Sequence, residues 1–214
     1  MASPYGFQSN SQSIEETLKR KVNSFELENV TLRRCFEELT ARYDFVIGFE
    51  SLPELPKQPN TISIKLEDGT VRDVLDALIA QDPRYEWSAS KQALNVYPIA
   101  GNQAWMTTVI HHFKVNKVNR YEALDTLLNS REIQTQFGHA PFRRGEVRSL
   151  PGVADSDLLR FSLDLQDATP RSILNEIAKA DHSGVWMYIR YGKNSEYFSI
   201  IFTNLMTRIS SPAP

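Results

Sequence analysis

Cysteine is nearly missing from this chain. Cys35 is alone among 214 residues, so neither an internal disulfide framework nor a cysteine-rich metal knuckle can form. Long apolar runs are missing too. No stretch approaches the roughly 20 consecutive apolar residues that span a bilayer, which excludes a membrane-spanning segment of that kind. Charge of one sign is also lacking: 24 Lys and Arg against 26 Asp and Glu leave a net charge of −2. Nucleic-acid binding proteins carry a basic face, so no nucleic-acid partner is expected. The sequence holds no GxSxG, HExxH or GxGxxG and no phosphate-binding glycine loop. A Ser/His/Asp triad leaves no local signature, because its members lie far apart in the chain. With no motif present, the expectation is a protein without catalysis, cofactor or metal.

What is present is a repeated unit. In Ile62-Ser-Ile64-Lys-Leu66 apolar and polar residues alternate, the pattern of a half-buried strand. From Val71 the period changes: Val71, Val74, Leu75, Leu78 and Ile79 fall on one helical face. Thr70 stands at the switch as an N-cap, and Asp73 three residues on completes a capping-box pattern. The same chemistry recurs in Phe25-x-Leu27-x-Asn29-x-Thr31-x-Arg33, in Ile64-x-Leu66-x-Asp68-x-Thr70-x-Arg72 and in Phe161-x-Leu163-x-Leu165-x-Asp167-x-Thr169-x-Arg171. Asn29, Asp68 and Asp167 suit a turn, because short polar side chains bond nearby backbone amides.

Taken in order, residues 1–23 form an N-terminal extension, with a lead-in helix predicted over Ile14 to Val22. Residues 24–98 read as βαββαββ. Helix faces at Leu32, Cys35, Phe36 and Leu39, and at Val71 to Ile79, alternate with strands at Phe45–Phe49, Tyr85–Trp87 and Leu94–Tyr97. Residues 99–107 read as a linker, since Pro98 to Ala104 contains Pro, Gly and Asn. Residues 108–206 repeat the pattern. A strand runs over Val109 to Val115, and Asn119 caps a helix bearing Tyr121, Leu124, Leu127 and Leu128. An irregular insertion spans 130–158. Thr169 then caps a helix with Pro170 at its first position and Ile173, Leu174, Ile177 and Ala178 on its buried face. A hairpin over Val185–Tyr191 and Tyr197–Thr203 follows, and residues 207–214 form a tail. The expected class is α+β: two small modules of βαββαββ type with helices packed on mixed sheets.

Residues 25–98 resemble the short N-terminal domain of secretins and TonB-dependent receptors, called N0 in secretins. The likeness rests on Phe25-Glu-Leu27-Glu-Asn29-Val-Thr31-Leu32-Arg33, on Ile64 to Leu78, and on Tyr85-Glu-Trp87 followed by Leu94-Asn-Val96. Residues 108–204 look like a diverged second copy. The resemblance implies a non-catalytic domain of the bacterial cell envelope, periplasmic or extracellular, that docks onto other proteins. It offers no catalytic residues. Residues 1–12 lack a basic region followed by an apolar core, so no secretory signal is expected in this chain, and a cytoplasmic home stays open.

The strongest candidate contact segment is the insertion, where Arg131, Arg143, Arg144 and Arg148 interleave with Phe137 and Phe142. Arginine among aromatics grips acidic protein or phosphate chains. His111 and His112 point to opposite faces of their strand and share no metal easily. With His139 and His182 they are expected at the surface or half buried. Asp155 and Asp157 are expected as solvated loop residues. Trp87, Tyr97, Trp186, Tyr188, Tyr191 and Tyr197 sit at strand spacing, and any on an outer face would anchor a partner. Val109–Val115 and Phe198–Thr203 are candidate sheet edges. The functional expectation is a protein-binding or assembly module acting through those edges and the insertion. Two alternatives stand beside it: a self-assembling structural subunit, and a small-ligand sensor with its pocket between the modules.

Overall fold

The computed structural model describes residues 13–52, 61–91, 93–100, 103–137, 143–144, 158–191 and 197–204, with the backbone alone at 137, 143–144, 191, 197 and 204. Its class is α+β, with helices packed on mixed sheets. The helices are α1 (Ile14–Leu18), α2 (Leu32–Tyr43), α3 (Val71–Ala80), α4 (Arg120–Leu128), α5 (Arg131–Phe137) and α6 (Pro170–Ala180). The strands are β1 (Lys21–Thr31), β2 (Val46–Glu50), β3 (Thr61–Thr70), β4 (Tyr85–Ala89), β5 (Ala93–Pro98), β6 (Ile110–Val118), β7 (Arg143–Arg144), β8 (Phe161–Ala168), β9 (Ser183–Tyr191) and β10 (Tyr197–Asn204).

A six-stranded sheet of order β4-β5-β2-β9-β10-β7 forms the centre. Two ribbons, β1-β3 and β6-β8, stand apart from it. The pairing scheme repeats along the chain. β2 runs parallel to β5, which is antiparallel to β4; β7 runs parallel to β10, which is antiparallel to β9. β1 pairs antiparallel with β3, and β6 with β8. The two halves are joined by a parallel pairing of β2 with β9.

The central sheet is covered on both faces. Ile47, Phe49, Leu94, Val96, Val185 and Met187 pack with Phe36 and Leu39 of α2 and with Val74, Leu75 and Leu78 of α3. Val46, Ala93, Trp186, Tyr188, Ile200 and Phe202 pack with Leu124 and Leu127 of α4 and with Ile173, Leu174 and Ile177 of α6. All five residues of β2 are therefore buried, as expected of a strand with a layer on each side. Each half places its helices on a different face of one shared sheet.

The helix starts follow the sequence closely. The side chains of Thr31, Thr70, Asn119 and Thr169 accept from Arg34, Asp73, Glu122 and Ser172 backbone N–H groups. Each satisfies an amide that the first helical turn leaves without a partner. The expected helix faces turn inward as well, with Leu75, Leu78, Ile173 and Ile177 fully enclosed and Ile79, Tyr121 and Leu128 half-buried.

Four expectations need correction. The lead-in helix stops at Leu18, and Val22 already belongs to β1. Asn29, Asp68 and Asp167 do not open a turn between strand and helix. They take positive φ values of 51°, 54° and 46° within the strands themselves, which run on to the cap. Short polar residues tolerate that left-handed conformation best. The insertion 130–158 is not irregular throughout, since α5 and β7 fall within it. Residues 104–107 of the expected linker form a 3-10 turn whose Trp105 and Met106 are buried against the second core.

Candidate functional site

The two ribbons are built alike. β1 carries a bulge between Leu27 and Val30, and β6 carries one between Val115 and Val118. At the first, Asn29 has a positive φ and its N–H donates to Ser63 Oγ at 3.0 Å. At the second, Lys117 has a φ of 51° and its N–H donates to Ser162 Oγ at 3.0 Å. A bulge bends a strand and sharpens its twist. The first ribbon buries Val22, Phe25, Ile62 and Ile64 and the second Ile110, Phe113 and Val115, while many of their other residues face solvent. Among the described residues, neither ribbon has a third strand on either outer edge. Such edges present rows of backbone donors and acceptors to any chain that can align with them.

The exposed side chains of β6-β8 include charged pairs. His111 Nδ1 lies 3.0 Å from Asp167 Oδ1, and His112 Nε2 lies 2.9 Å from Asp164 Oδ1. Lys114 Nζ donates to Asp164 Oδ2 at 2.6 Å. The hydrogen bond to Asp167 raises the His111 pKa above its ordinary value. Hydrogen bonds from Lys114 and then His112 lower that of Asp164. Each histidine meets its own aspartate, and among the described residues no group of His, Cys, Asp and Glu is placed to hold a metal ion.

The arginine and phenylalanine segment is described in part. Arg131 opens α5 and is exposed, while Phe137 closes that helix. Arg143 and Arg144 form the outermost strand of the central sheet, in register with Tyr197 and Phe198. Phe142 and Arg148 lie outside the described residues, as do His139, Asp155 and Asp157. Of the aromatic anchors, four are used internally. Trp87 Nε1 donates to Asp76 Oδ1 at 2.9 Å beneath Arg72, Tyr97 lies under Arg171, and Trp186 and Tyr188 are buried. The side chains of Tyr191 and Tyr197 lie outside the described residues.

A second feature was not anticipated from the sequence: the crevice at the carboxyl ends of β5, β2 and β9. Open α/β sheets hold ligands outside the carboxyl ends of parallel strands. Glu50, the last residue of β2, has a side chain only 2% exposed, and it pairs with Arg171 of α6 at 2.6 Å. Arg171 in turn lies 4.6 Å from the centre of the Tyr97 ring. Burial raises the Glu50 pKa, and the contact with Arg171 works against that rise. Glu50 Oε2 and Ser51 Oγ are buried without a hydrogen-bond partner among the described residues. Both residues line a cavity of about 200 Å³ together with Leu52, Pro98, Tyr188 and Arg190. An acid closing an otherwise apolar strand was the one trace of this site in the sequence.

Compared with known proteins, the chain matches no family model, no curated protein and no solved structure.

Proposed function

We propose that this chain is a non-catalytic docking and assembly module of the bacterial cell envelope, which engages protein through its strand edges. The observation that carries the reading is the pair of bulged ribbons, β1-β3 and β6-β8, whose outer edges are unpaired among the described residues. Strand addition along such an edge gains affinity from main-chain hydrogen bonds and specificity from alternate side chains. Charged residues such as Lys21, Glu26, Lys65 and Lys114 lie on these strands, and edge charge discourages indiscriminate pairing. The repeated pairing scheme and the resemblance of residues 25–98 to the secretin and TonB short N-terminal domain support the same reading. Arg143 and Arg144, at the rim of the central sheet, are the part of the 130–158 insertion best placed to join such a contact.

Light scattering behind size exclusion, over a wide range of concentration, tests the reading together with a pull-down from envelope extract. Concentration-dependent assembly, or one saturable protein partner whose capture is lost when Lys114 is replaced by Pro, is the expected result. A strict monomer with no partner would overturn it.

A further inference from the structure

We propose that the crevice beside Glu50 is a binding site for a small neutral molecule bearing a primary amide. The inference goes beyond the docking reading and does not depend on it. A buried acceptor without a donor costs about 1–3 kcal/mol, and native proteins leave few such groups. Here two belong to successive residues, Glu50 Oε2 and Ser51 Oγ, and both residues line the same cavity. The backbone holds them firmly. Ser51 N–H donates to Tyr188 carbonyl oxygen at 2.8 Å, and Leu52 N–H donates to the Tyr85 hydroxyl at 2.9 Å. The backbone around them is thus tied to both halves of the molecule.

The chemistry of the occupant follows from charge. Arg171 already offsets the carboxylate of Glu50 through Oε1, so Oε2 asks for a hydrogen-bond donor rather than a second cation. Arg190 at the cavity wall disfavours a cation further and offers N–H groups to a ligand oxygen. Glu50 disfavours an anion. A primary amide meets both needs, with its NH₂ toward Glu50 and Ser51 and its carbonyl toward Arg190. Leu52 and Pro98 supply apolar wall for a short hydrocarbon body. The volume of about 200 Å³ exceeds the roughly 150 Å³ that takes up a benzene ring, so a ring-bearing amide fits. Pockets of this make-up, apolar with a few convergent polar groups, are where small ligands bind.

The test is a titration of the full chain, labelled with ¹⁵N, with benzamide, benzoate and benzylamine followed by amide NMR. Benzamide is expected to give saturable shifts at Ser51, Leu52 and Arg190, with benzoate and benzylamine each weaker by about tenfold or more, the worth of one hydrogen bond to a charged group. Glu50→Gln and Ser51→Ala should each weaken benzamide by a similar factor. Ser51→Ala leaves the pair of Glu50 with Arg171 intact and keeps the test decisive if Glu50→Gln fails to fold. No saturable shift, equal binding of all three probes, or unchanged benzamide binding by Ser51→Ala would overturn the proposal.

Discussion

Trp186 of β9 lies directly over Gly48 of β2, so closely that a methyl group on Gly48 would come within 2.3 Å of the indole. The two residues face each other in the parallel pairing that joins the halves. Trp186 Nε1 donates to Asn175 Oδ1 of α6 at 2.7 Å, and Asn175 Nδ2 donates to Asn95 Oδ1 of β5 at 3.1 Å. One buried polar chain thus links β9 to β5 through α6. Overpacking a close-packed site costs about 1–3 kcal/mol. Gly48→Ala is expected to lower stability by at least that much in urea unfolding. A loss below about 0.5 kcal/mol, the range of surface substitutions, would mean the indole does not sit there.

A second link between distant segments is ionic. Arg120, at the start of α4, meets Asp181, at the end of α6, at 2.8 Å, with side chains 7% and 3% exposed. Ser183 Oγ donates to the same carboxylate oxygen at 2.6 Å. Removing one partner of a buried pair strands the other charge, at a cost of about 3–5 kcal/mol. Asp181→Ala should show a loss of that size in chemical denaturation, and Asp181→Asn a smaller one. Equal losses for both variants would show that the charge alone sets the cost, and a loss under about 1 kcal/mol for Asp181→Ala would contradict the buried pair.

Leu75 of α3 is fully enclosed in the first core. Emptying such a site costs about 2–5 kcal/mol, and Leu75→Ala is expected to fall in that range. A change under about 1 kcal/mol would place the wrong face of α3 inward.

The β6-β8 register is open to a pH measurement. Asp167 raises the His111 pKa above its usual value near 6.5. The stabilisation is then fully present below the unfolded-state pKa and is lost as pH rises through the folded-state value. The NMR titration midpoint of His111 should lie above the ordinary histidine value, and Asp167→Asn should bring it down. A midpoint unaffected by that substitution would break the pairing of His111 with Asp167.

The helix starts were legible in the sequence because capping is local. Thr31, Thr70, Asn119 and Thr169 each act within three residues of themselves. The helix faces were legible through the same short period. The joining of the halves was not, because the pairing of Ile47 with Val185 spans more than half the chain and no local pattern encodes it. β2 gave a hint: the unbroken apolar run Phe45–Phe49 suits a strand buried on both faces. α5 was hidden by its length, since seven residues, with Ile133 the one buried apolar side chain among those described, show too little period to stand out beside the glycines and prolines that follow. The bulge at Lys117 escaped for a different reason. Lysine carries no left-handed signature, and only its bond to Ser162, the counterpart of Asn29 with Ser63, reveals the likeness. Glu50 stayed silent because its partner, Arg171, lies 121 residues away.

Amide hydrogen exchange over Lys21–Thr31, Thr61–Thr70, Ile110–Val118 and Phe161–Ala168 tests the docking claim most directly, measured on the chain alone and in its assembled or partner-bound state. The outward amides of at least one ribbon strand should exchange freely in the chain alone and become protected on association. Association that leaves every one of those amides as exposed as before would contradict the account.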